Sequence, residues 1–244
     1  MFKFKKFDIN KIINEENPSI LIIGESSAGK TTLIKDFIHR NTHKYITNDN
    51  IVFASFRGRG HDFFKYRDDH IIKENYINTE YNENILEEHI NKKINEINKN
   101  NKENTYIILD GVIHTNKVFK TDKSLQEIQF NGKHYCITSI ITQQYPIQMT
   151  PEYRANFDYI ILFNVTIKSS IKKIYDYYGG MFPTFDTFYN FFKEFTFDHG
   201  CMIIDNTIHH GDASDIISWY KVDIHKYDKT ENKSTHQIIL YSKL

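Results

Sequence analysis

The 244-residue chain has little cysteine, proline, tryptophan or arginine, and no excess charge of either sign. Each shortage excludes something. Its 2 cysteines, Cys136 and Cys201, lie far apart in apolar stretches, which rules out a disulfide framework and implies packed thiols in reducing surroundings. His199, His209 and His210 lie near Cys201 without CxxC or HxxxH spacing, so no zinc site is expected. With 4 prolines and no Pro/Gly/Ser-rich linker, the expected organisation is one domain over 1–244, its core at about 7–222 and a polar tail or edge strand at 223–244. Lys plus Arg number 31 and Asp plus Glu 31, so contact with nucleic acid or a membrane has to come from local patches. No apolar run approaches the ~20 residues of a membrane span, and the start, "MFKFKKFDINKI", lacks the apolar core of a signal peptide. The expectation is a soluble protein with no transmembrane segment that is not exported. Arginine occurs only at Arg40, Arg57, Arg59, Arg67 and Arg154, a short list for any role that needs a guanidinium.

What is present is a series of short apolar runs separated by helical patterns. "SILIIG" (19–24) precedes "TTLIKDFIHRN", where Leu33, Ile34, Phe37 and Ile38 share one helical face. "IVFASF" (51–56) reads as a second strand, and Leu86, Ile90, Ile94 and Ile97 recur at helical spacing before the polar run "NKNNKEN". "YIILD" (106–110), "CITSIIT" (136–142), "YIILF" (159–163) and "CMIID" (201–205) follow, apolar on consecutive positions as parallel strands covered on both faces are. The segment 182–195 predicts a helix whose Phe185, Phe188, Phe192 and Phe195 face the sheet. The fold class is α/β.

Between the first strand and the first long helix stands "GESSAGKT": Gly24, Glu25, Ser26, Ser27, Ala28, Gly29, Lys30 and Thr31, followed by Thr32. This is a complete P-loop in the context that the motif requires. Glycines let backbone N–H groups and the helix N-terminus point at phosphates, Lys30 neutralises phosphoryl oxygens, and the Thr31 hydroxyl suits magnesium. A guanine-reading Asn-Lys-x-Asp is absent, since "TNKVFK" carries Phe119 at the acid's position, so ATP is favoured. Asp110, ending its strand, is the expected second magnesium group, with a turn-capping aspartate as the alternative. The next residue is Gly111, where hydrolytic ATPases of this kind carry a second acid. "CITSIITQQYP" runs from apolar residues into Thr142, Gln143 and Gln144. Gln143 fits the strand-tip position that faces the γ-phosphate and the attacking water, with a polar strand end entering a loop as the alternative. Gln143 or Gln144 could stand in for the missing acid, and Glu25 swinging inward is a weaker substitute.

The block "FNGKHYCITSIITQQYPIQMTPEYRANFDYIILF" (130–163) resembles the corresponding segment of the poxvirus-type genome-packaging ATPases of large eukaryotic DNA viruses, in the FtsK/HerA superfamily. "IIDNT" (203–207) and "DIISWYK" (215–221) are similar to that family's closing strands, and the resemblance covers about 7–222. It implies a three-layer P-loop NTPase of the RecA-like, additional-strand type, with a mainly parallel sheet and an extra C-terminal strand or hairpin. By the same resemblance Lys30 and Thr31 serve phosphate and magnesium, Asp110 magnesium, Gln143 is the sensor, and Arg154 is an arginine finger for a neighbouring subunit's ATP. The implied protein is a ring-forming motor, expected to be a homo-hexamer, that moves double-stranded DNA into a capsid. Its implied partners are capsid or inner-membrane virion proteins, and its place is the host cytoplasm at the viral assembly site and the virion. Lys133 departs from the family's "GRHY", keeping charge but losing bidentate geometry.

Candidate DNA contacts are 55–67 and 114–126, though a solvated loop is the favoured reading of each. Two rival readings stay open: a P-loop nucleoside or nucleotide kinase with Arg57, Arg59 and Arg67 in a lid, and a nucleotide-gated assembly protein that hydrolyses weakly because of Gly111.

Overall fold

A computed structural model describes residues 3–42, 51–55, 77–78, 83–100, 102–111, 116–146 and 149–223. Nine strands pair edge to edge: β1 (Lys5–Lys6), β2 (Ser19–Ile23), β3 (Ile51–Ser55), β4 (Ile77–Asn78), β5 (Thr105–Asp110), β6 (Ile137–Gln143), β7 (Tyr159–Phe163), β8 (Gly200–Asp205) and β9 (Ile217–Lys221). Their order is β1-β9-β8-β7-β2-β6-β5-β3-β4. Among these strands β8 alone runs antiparallel to its neighbours. The expected mainly parallel α/β sheet with a closing C-terminal pair is thus present. The strand inserted between β2 and β5 is β6, as the additional-strand type requires.

β2 is fully buried and sits between β6 and β7, parallel to both. Its alternate side chains feed two separate cores, one on each face, as the two-residue period of a strand dictates. Leu21 and Ile23 join a cluster with Leu109, Ile141 and Leu162, covered by α3 (Glu83–Asn98), α5 (Lys123–Asn131), α7 (Lys168–Tyr178) and α8 (Phe185–Phe195). Ile20 and Ile22 join Ile108, Ile140 and Ile161 under α1 (Asn10–Asn14) and α2 (Lys30–Thr42). The remaining helices are α4 (Asn116–Thr121), α6 (Pro151–Ala155) and α9 (Ala213–Ile216).

The α2 face is the one read from the sequence: Leu33, Ile34, Phe37 and Ile38 are all buried. On α8, Phe188 and Phe192 are fully buried, while Phe185 and Phe195 pack against the cluster partly exposed. α3 departs from its predicted stripe. Leu86 and Ile90 are buried, but Lys93 is only 4 % exposed, with its ammonium donating to the Glu103 carbonyl oxygen and to Glu96. A charged head that finds a carboxylate and a carbonyl can be buried where an apolar residue was expected.

The N-terminal segment carried no strand prediction, yet Lys5–Lys6 pairs with β9 and closes one edge of the sheet. Both lysines are exposed, a charged edge that discourages further pairing. Phe4 enters the α8 layer, its ring edge-on to Phe191 at 4.8 Å, while Phe7 enters the opposite core against Tyr159. The tail at 224–244 lies outside the described residues.

Phe188 anchors the α8 layer, with ring contacts to Tyr175, Phe182 and Phe192. Phe188→Ala is expected to cost about 3–5 kcal/mol, read as a lowered midpoint in urea unfolding.

Candidate functional site

The C-terminal ends of β2, β6, β5 and β7 meet at one edge of the sheet, and the P-loop leaves β2 at its centre. Two close approaches fix the path of the loop. Gly24 N–H donates to the Gln143 carbonyl at 3.1 Å and Glu25 N–H to the Asn164 carbonyl at 3.1 Å, tying the loop to both flanking strands. A Cβ on Gly24 would stand 2.5 Å from the Phe163 Cβ, so only glycine fits this crossing. Ser27 (φ 62°) and Gly29 (φ 117°) take left-handed backbone conformations that turn the loop into α2.

Lys30 starts α2 and is 8 % exposed, its ammonium donating to the Gly24 and Glu25 carbonyls at 2.6 and 2.9 Å. The Thr31 hydroxyl donates to Asp110 Oδ2 at 3.3 Å, and Thr142 donates to Asp110 Oδ1 at 2.7 Å. Thr142 Oγ1 in turn accepts the Gly111 N–H at 2.8 Å. A hydroxyl and a carboxylate facing one another at the start of a helix are hard oxygen donors of the kind magnesium takes, so Thr31 and Asp110 fit that ion. Ser26 and Ser27 are exposed on the loop, while Ala28 and Thr32 are half-buried.

Two of the expected side chains lie elsewhere than their proposed roles need. Gln143 is 1 % exposed, and strand alternation puts its side chain with Ile141 on the face away from α2. The strand-tip group on the Asp110 face is Thr142, which the sequence reading passed over. A period of two counted back from Ile140 would have found it. Glu25 does not point inward: its carboxylate accepts from the Thr166 N–H and hydroxyl at 2.9 Å, clasping the P-loop to the segment after β7. Gly111 sits at φ 67°, a left-handed turn that its N–H bond to Thr142 holds in place. Space around it is open, so the backbone conformation is what favours glycine there.

Arg154 lies at the other edge of the sheet. α6 immediately precedes β7, and the guanidinium donates to the Met149 carbonyl at 2.7 Å and covers the Tyr177 ring at 4.8 Å. It is remote from the P-loop of its own chain. The same edge holds the most distinctive residues of the 130–163 block. Lys133, in a 3-10 turn at Gly132–Tyr135, pairs with Asp158 at 2.5 Å, and Asp158 also accepts the Ser19 N–H at 2.8 Å. These residues fasten β2, β6 and β7 together where they begin. A compact ammonium suffices for that single contact, which accounts for Lys133 in place of arginine.

A turn on the β8 side also borders the P-loop. Asp198 (φ 48°) and His199 (φ 61°) are consecutive left-handed residues, each costing on the order of 1–3 kcal/mol. Gly200 follows where a Cβ would meet the Phe195 carbonyl oxygen at 2.2 Å. Lys221 pairs with Asp198 and holds its carboxyl below the usual aspartate range. The candidate DNA segment 55–67 lies outside the described residues beyond Ser55, as do Arg57, Arg59 and Arg67. In the second candidate, 114–126, α4 and the start of α5 follow Asp110 with Lys120 and Lys123 exposed.

The profile of the family described as Poxvirus A32 protein matches residues 4–241. Protein L437 of Acanthamoeba polyphaga mimivirus is 29 % identical over 235 residues, covering 93 % of this chain and 79 % of its own length. Protein 075L of Invertebrate iridescent virus 6 is 27 % identical over 229 residues, covering 90 % and 83 %. Among solved structures, the genome-packaging NTPase B204 of Sulfolobus turreted icosahedral virus 2, bound to AMPPCP, superposes with a TM-score of 0.57 at 15 % identity, covering 86 % of this chain and all of that one. B204 of Sulfolobus turreted icosahedral virus gives 0.57 at 19 % identity, covering 85 % and 99 %. The fold is that of a P-loop NTPase.

Thr142→Val keeps the shape but removes both hydrogen bonds of the hydroxyl, leaving Asp110 Oδ1 and the Gly111 N–H each short of a partner. The expected loss is about 1–3 kcal/mol in chemical denaturation, with Thr142→Ser close to wild type.

Proposed function

The chain belongs to the poxvirus A32 protein family, and from that premise we propose that it is the ATP-hydrolysing subunit of a viral genome-packaging motor, acting on double-stranded DNA as a ring of identical subunits. The observation that carries the reading is the cluster of Lys30, Thr31, Asp110 and Thr142 at the P-loop, within a fold matched by B204. Lys30 leaves the loop carbonyls and neutralises phosphoryl oxygens as backbone N–H groups of 24–31 surround the phosphates. Thr31 and Asp110 would hold magnesium, which neutralises charge building on the transferred phosphoryl group. Thr142 keeps the Asp110 carboxylate turned toward Thr31.

In this reading Arg154 acts in trans. Its edge of the sheet faces away from its own nucleotide, so a guanidinium there serves catalysis only across a subunit boundary. A rigid fork that contacts several phosphoryl oxygens contributes on the order of 10³–10⁵ in rate. A sensor role for Gln143 requires its side chain to leave the layer in which it is buried; in the present arrangement its carbonyl fixes the first amide of the P-loop. Partners at the capsid or virion membrane, and sites of action in the host cytoplasm and virion, follow from the packaging role. No helix among the described residues is long and apolar enough to cross a membrane.

One observation favours a second reading. Gly111 offers no side chain to activate water and is locked in a left-handed turn, as suits a nucleotide-gated assembly protein with slow turnover.

ATP turnover with magnesium, with and without duplex DNA, separates the two. The motor predicts DNA-stimulated hydrolysis that Lys30→Ala abolishes. Arg154→Ala should lower turnover by at least about 10³-fold and recover on mixing with Lys30→Ala subunits, because each variant supplies what the other lacks. Turnover that neither DNA nor Arg154→Ala alters would favour the assembly protein.

A further inference from the structure

β2 sits midway between two strands that end or begin at the P-loop edge. Two positions to one side is β5, ending in Asp110; two positions to the other is β8, starting at Gly200. The first side is occupied by the groups suited to the terminal phosphates. On the second side stands the turn 196–200. Its His199 Cβ lies 3.6 Å from where a Cβ on Gly29 would be, so the turn borders the P-loop directly. Beside it Phe197 is 78 % exposed, more than any other large apolar side chain among the described residues.

This turn is built rather than loose. The Thr196 hydroxyl donates to the Phe192 carbonyl at 2.7 Å, closing the end of α8. Two successive left-handed residues follow, then a glycine that no side chain can replace without moving the Phe195 carbonyl, and an ion pair from β9 braces Asp198. Backbone strain at two consecutive residues persists only when the surroundings over-determine it. What it achieves here is to keep the exposed Phe197 in the same short turn as His199, whose Cβ borders Gly29 of the P-loop.

The geometry points to a nucleoside-binding platform formed by Phe197 and His199, on which the base of the P-loop nucleotide stacks. This rests on the nucleotide reading above and deepens it by locating the other end of the ligand. With the terminal phosphates directed at Thr31 and Asp110, the remaining length of the nucleotide runs the opposite way, over Gly29 toward β8. A planar base there would cover an apolar ring that otherwise faces water. An aromatic face is sequence-tolerant toward bases, so the platform supplies affinity for a nucleoside without choosing adenine over guanine.

The test compares two ligands that share the phosphate chain and differ in the nucleoside. The full chain, as wild type, Phe197→Ala and Phe197→Trp, is titrated by calorimetry with a non-hydrolysable ATP analogue and with inorganic tripolyphosphate, both with magnesium. Phe197 is exposed, so neither substitution disturbs the core. Phe197→Ala should weaken the ATP analogue about tenfold, the size of one lost stacking contact. Tripolyphosphate affinity should stay unchanged, and Phe197→Trp should restore the analogue. An analogue affinity unaffected by Phe197→Ala, or a loss shared equally with tripolyphosphate, overturns the platform while leaving the P-loop assignment standing. Wild type binding neither ligand overturns both.

Discussion

The structure depends on the pairing of β2 with β6 and β7, parallel on both sides and buried throughout. Parallel strands in register deliver their ends to a common edge, so the loop leaving β2 emerges between Gln143 and Asn164, with a carbonyl from each waiting for its first two amides. Gly24 crosses Phe163 where no larger residue fits. From that crossing follow the left-handed turns at Ser27 and Gly29, the start of α2 at Lys30, and the meeting of Thr31 with Asp110. The two cores exist to hold this pairing: the side chains of β2 alternate between them, and neither face could be left in water.

The sheet divides its labour between its two edges. One gathers the hydroxyls, the ammonium and the carboxylate suited to phosphate and magnesium. The other gathers Lys133, Asp158 and the Ser19 amide, which lock the beginnings of β2, β6 and β7, and beside them Arg154 lies against Tyr177. The segment that most resembles the packaging ATPases therefore supplies fastening at one edge and a polar strand end at the other. A motif can be diagnostic of a family partly because the fold needs it, as Lys133 and Asp158 show here.

Much of this was legible in the sequence because the relevant signals are local. The P-loop pattern, the apolar stripe of α2 and the continuous apolar runs each report on a few adjacent residues. What stayed hidden depends on partners that lie far along the chain. Lys93 looks like a surface residue until the Glu103 carbonyl folds back over it. Gln143 looks like the strand-tip group until the two-residue period is carried through from Ile140, which hands that place to Thr142. Glu25 looks available until Thr166, 141 residues later, arrives to bind it. The pairing of Lys5–Lys6 with β9 has no periodicity of its own, since two residues are too few to show one.

The turn at Gly111 ties two distant positions together. Its left-handed backbone is held by the Thr142 hydroxyl, and that hydroxyl also steadies Asp110. An acid introduced at 111 would take a left-handed backbone that suits it less well than glycine, as Asp198 does before β8, or would pull its amide off Thr142 and loosen the hold on the Asp110 carboxylate. Any group that activates water beside this turn would have to come from a position other than 111, because the turn carries no side chain of its own at that place.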